Sequence, residues 1–315
     1  MVKQCFLTGE LIFFAEERAK RPQNFKKLHV ASTPSAFCPF CLENDSMTPK
    51  EVFSTKNRRI RIVPNKYPFI SKNDSTHYGI HDVVIDTANH EERLYKFTDE
   101  HTTELMLAIK ERVVFLEKNK EIVYVQVFKN DGIDAGASQS HSHWQIAALS
   151  VFPPKYEGIK NVLEKYYNEN DKCYFCNLRD TLGEQIIEEN EHFIAYVPTD
   201  AKFPYEMYIM PKKHISNLIE FNNKQLESMG IIIRNCVKRL ASLYEGISYN
   251  ICFFNTPKPN AFLQSENTDF KKYMHFHIQI IPRIGHMAGF EFSTGCYINS
   301  VLPEKSAKVL KEISL

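Results

Sequence analysis

Two five-residue phrases carry most of the chemistry available to this chain. His141-Ser142-His143-Trp144-Gln145 reads H-x-H-x-Q, and His275-Phe276-His277-Ile278-Gln279 repeats it 134 residues later. In an extended strand, side chains at i, i+2 and i+4 share one face, so each phrase would align two imidazoles and a carboxamide. A lone histidine is usually an ordinary core or surface residue; a repeated pair with the same trailing Gln is not. Neutral imidazole, with a reference pKa of about 6.5, needs little activation near neutral pH. It can attack phosphorus and hold the group as a labile N-linked intermediate, splitting one hard displacement into two. A Gln cannot act as an acid, but its NH₂ can donate to a phosphoryl oxygen as charge builds there. Only the first phrase follows a small-residue loop, Gly136-Ala137-Ser138, where backbone N–H groups could approach phosphate. That favours His143 over its competitor His277 as nucleophile.

A second pairing accompanies the first. Cys38-Pro39-Phe40-Cys41 and Cys173-Tyr174-Phe175-Cys176 each precede an H-x-H-x-Q phrase. A closed zinc site takes four thiolate or imidazole ligands. The first C-x-x-C could draw on His77, His81, His90, His101, His141 or His143, and the second on His192, His214, His275 or His277. Spacing does not choose among them. The separations are too long for a compact zinc finger and imply ligands gathered from a loop and distant elements.

Strands and helices must bring these residues together. Leu11 to Phe14, Arg59 to Val63, Asp82 to Asp86, Glu121 to Phe128 and His141 to Leu149 read as strands. Thr98 to Asn119 reads as a helix, capped by Thr98. The second half repeats the order: strands at His192 to Val197 and Glu206 to Met210, a helix at Asn223 to Glu245, strands at Tyr249 to Phe254 and His275 to Pro282. Asn130 to Ser140 and Thr256 to Lys272 read as loops. The expected fold is α+β: mainly antiparallel sheets with one principal helix per half, in related halves 1–165 and 166–315.

Composition bounds the rest. The chain has 315 residues, 43% of them apolar, with 23 Phe, ample for a buried core. A net charge of +1 gives no general basic field, which argues against a nucleic-acid partner. No secretory leader or membrane-length apolar run is evident. Four of the eight cysteines fall in C-x-x-C pairs. In a cytoplasmic protein, which is the expectation, that pattern favours metal binding over disulfides.

Taken in order, the motifs resemble the galactose-1-phosphate uridylyltransferase family, a branch of the histidine triad superfamily. The resemblance runs through Arg18-Ala19-Lys20-Arg21-Pro22, Cys38-Pro39-Phe40-Cys41, Val63-Pro64-Asn65-Lys66-Tyr67-Pro68, Asp86-Thr87-Ala88-Asn89-His90, Asn130, Gly136-Ala137-Ser138 and the first H-x-H-x-Q. The family usually reads H-P-H-G-Q where this chain has His141-Ser142-His143-Trp144-Gln145. That variation, the second C-x-x-C and the tail Gly289 to Asn299 are closer to the ADP-glucose phosphorylase branch. Position by position, the resemblance implies histidine-triad-like halves and two zinc ions per chain. Cys38, Cys41, His90 and His141 would hold one, and Cys173, Cys176, His214 and His275 the other. It implies His143 as nucleophile and Gln145 as its phosphate-contacting partner. Arg18, Arg21, Asn130 and Ser138 would meet phosphates, Asn65 would lie near the nucleoside, and Glu291 would hold sugar hydroxyls. It also implies a homodimer whose basic N-terminal segment reaches the neighbour's site.

The resulting expectation is a nucleotidyltransferase that moves a nucleoside monophosphate between a nucleotide sugar and hexose 1-phosphate through a nucleotidyl-histidine. Three other readings stay open: an ADP-glucose phosphorylase, with phosphate as adenylyl acceptor; a dinucleotide hydrolase; and a non-enzymatic, zinc-stabilised binding protein.

Overall fold

The computed structural model describes residues 1–20, 34–73, 77–258 and 270–315. Its strands and helices, in chain order, begin with β1 (Val2–Gln4), β2 (Leu11–Phe14), β3 (Phe53–Ser54), β4 (Arg61–Pro64) and β5 (Gly79–Ile85). Helix α1 (Asp99–Glu117), β6 (Tyr124–Asp131), β7 (His143–Leu149), α2 (Pro154–Asn170) and α3 (Tyr174–Arg179) follow. Then come β8 (Ile186–Glu189), β9 (Phe193–Tyr196), β10 (Met207–Pro211), α4 (Asn223–Leu243), β11 (Tyr249–Phe254) and β12 (His277–Pro282). The chain closes with α5 (Gly289–Thr294), β13 (Tyr297–Asn299) and α6 (Pro303–Glu312).

Ten strands form one antiparallel sheet in the order β3-β4-β5-β7-β6-β11-β12-β10-β9-β8. The first five belong to the earlier half of the chain and the last five to the later half. They meet at the β6–β11 pair, where Asn130 faces Asn250. A smaller sheet, β1-β2-β13, joins the two ends of the chain. The fold is α+β, as the alternating pattern implied.

Trp144, Ile146 and Ala148 of β7 alternate into a core shared with α1 and α4. These two helices lie against each other closely enough that a Cβ on Gly230 of α4 would come within 2.8 Å of the Thr102 carbonyl. Glycine is what that approach allows. Thr98 caps α1 by accepting from the His101 N–H, and Asn222 with Gln225 closes a capping box on α4.

The opposite face of the sheet is covered unevenly. Over the later strands, α2 and the N-terminal hairpin bury Tyr156, Ile159, Leu163, Ile12 and Phe14 with Tyr196, Met210 and Tyr273. Over the earlier strands the apolar cover shrinks to Val63, Val83 and Ile85 with Phe40, beside exposed Tyr67 and Phe69.

Helices α1 and α4 are the expected principal helices, and α2 is a further helix, not expected from the sequence. Its signal was modest: Pro154 in the first turn and buried Tyr156, Ile159 and Leu163 at helical spacing in an otherwise polar stretch. Asn130 lies in β6 rather than in the following loop, because pairing with β11 extends the strand. Among the described residues no helix is long and apolar enough to cross a membrane.

Candidate active site and metal centres

Two groups of Cys and His are gathered from three segments each. Cys38 and Cys41 flank a turn ahead of the large sheet, His90 follows β5, and His141 immediately precedes β7. Their ligand atoms, all buried, lie within 4.8 Å of one another. Cys173 and Cys176 at the start of α3, His214 after β10 and His275 before β12 make a second such group. The histidines singled out here are those the family resemblance implied, and they leave His101 and His192 elsewhere. His101 donates to the Asp86 carbonyl and stacks on Phe97.

The spacings test the metal directly. Tetrahedral zinc, with bonds of ~2.3 Å to sulfur and ~2.0 Å to nitrogen, separates S and N ligands by about 3.6 Å. His141 Nδ1 stands 3.6 Å from Cys38 Sγ and 3.7 Å from Cys41 Sγ, and His90 Nδ1 is 3.4 Å from Cys41 Sγ. In the second group, His275 Nδ1 is 3.6 and 3.7 Å from the two thiols, and His214 Nδ1 is 3.4 Å from Cys176. The ring tautomers agree. His141 Nε2 donates to the Thr87 carbonyl at 2.9 Å, His275 Nε2 to Pro211 at 3.2 Å and His214 Nε2 to Lys271 at 2.6 Å. A carbonyl only accepts, so in each ring Nδ1 keeps its lone pair toward the thiols. Burial, with Cys38 alongside, pushes the Cys41 thiol up to about 12. A bound cation would offset that cost. Both groups are fitted to hold metal ions.

His143 follows the same logic to a different end. Its Nδ1 lies 2.9 Å from the His141 carbonyl and must donate, so Nε2 carries the free lone pair. Burial, then the Lys129 charge, hold its pKa below the ordinary value and keep the ring neutral. Behind it, Lys129 donates to Asp86 (3.1 Å), the Ser142 hydroxyl (2.7 Å) and the His143 carbonyl (3.1 Å). Lys129 and Asp86 are fully buried. A charge pair so placed is costly to bury, and Asp86 Oδ1 is left without a hydrogen-bond partner among the described residues; the Lys129 ammonium nevertheless clamps the backbone at His143.

His277 also directs Nδ1 to a carbonyl, that of His275 at 3.0 Å, and both rings are 5% exposed. Their surroundings differ. Phe254 and Phe175 stack on His277 at 4.5 and 4.6 Å, with Tyr208 at 5.7 Å. That burial lowers its pKa to about 3. Among the described residues, the ring against His143 is Phe40, met edge-on at 5.2 Å.

Of the other expected residues, Asn65 is brought to this cluster through His81, which also binds Gln145. Asn130 accepts from Asn250, which in turn donates to the Ala135 carbonyl of the small-residue loop. Gly132 opens that loop at a positive φ of 83°, where a Cβ would collide with Ser248. Ser138 is exposed on the same loop, and Arg18 is exposed on a 3₁₀ turn. Glu291 folds back to accept from the Ala288 N–H and so caps its own helix. Arg21 lies outside the described residues. Lys129 and Asp86 escaped sequence reading because their pairing crosses from β6 to the end of β5. His81 entered only as one of several metal candidates.

Comparison with known proteins places the chain in a family. A family model described as a domain of unknown function (DUF4921) matches residues 69–314. The chain is 32% identical to the ADP-glucose phosphorylase of Arabidopsis thaliana over 98% of its length and 92% of that protein. It is 27% identical to the galactose-1-phosphate uridylyltransferase of Thermotoga maritima over 97% of its length and 96% of that protein. A crystal structure of an Arabidopsis thaliana ADP-glucose phosphorylase with bound ADP-glucose superposes with a TM-score of 0.88 at 31% identity, covering 100% of this chain and 99% of that one. With this identity spread over nearly its whole length, the chain belongs to the galactose-1-phosphate uridylyltransferase family, in its ADP-glucose phosphorylase-like branch, and carries the DUF4921 domain.

Proposed function

We propose that this protein is a nucleotidyltransferase working on a nucleotide sugar through a covalent intermediate on His143. The observation that carries the reading is the tautomer. With Nδ1 committed to the His141 carbonyl, Nε2 is the one free nucleophilic atom of a neutral ring. Its lone pair attacks the α-phosphorus, and the bond from that phosphorus to the bridging oxygen breaks. Hexose 1-phosphate leaves with those electrons, and the nucleotidyl group stays on nitrogen. An oxygen of a second hexose 1-phosphate, or of inorganic phosphate, then attacks the same phosphorus and frees the imidazole. Gln145 donates to the phosphoryl oxygens as charge grows there. Asn65, Asn130, Ser138, Arg18, Arg21 and Glu291 are proposed to bind substrate in the roles given above.

Two zinc ions per chain belong to the same proposal. Cys38, Cys41, His90 and His141 would hold one, and Cys173, Cys176, His214 and His275 the other. Four protein ligands leave no open position, so the metal would serve by fixing His141 two residues from the nucleophile. In this reading the halves 1–165 and 166–315 divide the labour: the first reacts and the second supports.

The identity to the Arabidopsis enzyme favours a specific form of the reading, adenylyl transfer from ADP-glucose to phosphate. Intact-protein mass spectrometry after brief exposure to ADP-glucose or UDP-glucose tests both. Wild type should gain an adenylyl or uridylyl increment, and His143→Ala should gain neither while its metal content is unchanged. An increment that survives in His143→Ala would remove the nucleophile from this position.

A further inference from the structure

We propose that His81 is a positioning residue that decides which end of the Gln145 carboxamide faces the substrate; the inference rests on the transferase reading above. The assignment follows from one unambiguous donor. The Tyr67 backbone N–H lies 2.9 Å from Asn65 Oδ1, which fixes that amide. The Asn65 NH₂ then approaches the His81 ring, 3.2 Å from Nδ1 and 3.3 Å from Nε2. An NH₂ only donates, so the ring nitrogen it uses must accept. The other ring nitrogen's proton must also find an acceptor. Gln145 Oε1, 2.9 Å from His81 Nε2, supplies one. Asn65 therefore donates to Nδ1, and Nε2–H donates to Gln145. With its oxygen taken, Gln145 is left to present NH₂, the group a phosphoryl oxygen needs.

The second half shows the opposite setting. His81 pairs with Ala147, two residues past Gln145. Met207 pairs with Ile280, so Glu206 falls opposite Ile281, two residues past Gln279. At this matching place Glu206 Oε2 already accepts from the Lys202 and Phe203 N–H groups. Its Oε1 takes the Gln279 NH₂. The same carboxamide is thus consumed at its donor end beside the stacked His277 and released at its donor end beside His143. A donor against an acceptor, at equivalent strand positions, separates the two.

The test is the rate of nucleotidyl transfer to the protein from ADP-glucose or UDP-glucose in a single turnover, with metal content and melting followed in parallel. His81→Phe should slow transfer about 100-fold, the scale for losing one aligned donor to a reacting oxyanion, with little change in KM. His81→Gln, which can still donate to Gln145, should recover to within about 10-fold of wild type, and His81→Glu, which cannot when ionised, should not. In a Gln145→Ala background His81→Phe should cost at most a further factor of about 3, because the two act as one unit. A purely structural role would leave the full loss in that background. Additive losses for His81→Phe and Gln145→Ala would overturn the inference, and equal rates for His81→Gln and His81→Glu would do so even if His81→Phe does not fold. A wild type that takes no label at all would instead overturn the transferase reading, and this inference with it.

Discussion

At position 143 the main chain does as much as the ring. The His141 carbonyl selects the tautomer, and Lys129 holds the His143 carbonyl from behind. The paired imidazoles were legible in the sequence because their chemistry sits within five residues. The clamp was not, since Lys129, Asp86 and Ser142 meet only after β6 and β7 pair. His101 makes a residue-scale prediction. Burial holds its pKa below the ordinary 6.5, so the folded state binds that proton less readily than the unfolded chain does. Its contribution to stability is present above pH ~6.5 and is lost as pH falls through that value toward the folded pKa. Replacing it by Gln should flatten the dependence of melting temperature on pH between about 7 and 5.5. An unchanged slope in calorimetry would show that this ring is not the titrating group.

At the scale of elements, each Cys/His group ties a loop to the sheet. The second joins the start of α3, the segment after β10 and the segment before β12. If these are zinc sites, Cys173→Ser should lower the metal content from two ions per chain to one. It should also lower the melting temperature by roughly 5–10 °C, at ~2–4 °C per kcal/mol for a domain of this size. Elemental analysis that still finds two ions would reject the ligand set. The C-x-x-C pairs were plain in the sequence, but no spacing rule could pick His90 and His214. That choice came from family resemblance, and the structure brings the four residues of each set within 4.8 Å of one another. Nine of the thirteen described strands were legible to within a few residues, by alternation in β11 and by short apolar runs in strands such as β9 and β12, which are buried nearly throughout. The others, β1, β3, β8 and β13, of two to four residues each, leave too little pattern to read. Helix α2 escaped because a helix lying over one side of a sheet needs only a narrow apolar stripe.

At the scale of the whole molecule, the two sets of five strands fuse through β6 and β11 into one sheet. One face is roofed by α1 and α4 across both halves. The other is roofed heavily over the later strands and thinly over the earlier ones. That asymmetry adds to the small-residue loop in separating His143 from His277: α2, α3 and the N-terminal hairpin cover the later strands, where Phe175, Tyr208 and Phe254 enclose His277. The two phrases themselves do not announce it.

The strand that begins at His143, the proposed nucleophile, is an interior one. β7 is zipped to β5 along one edge and to β6 along the other, one strand from the seam. It cannot fray as a lid or a terminal segment would, since releasing it means tearing the sheet near its middle. Heat should therefore silence this catalyst only when the entire body melts. Residual transfer activity and the calorimetric transition should fall together, and activity lost well below that transition would place the weak point elsewhere.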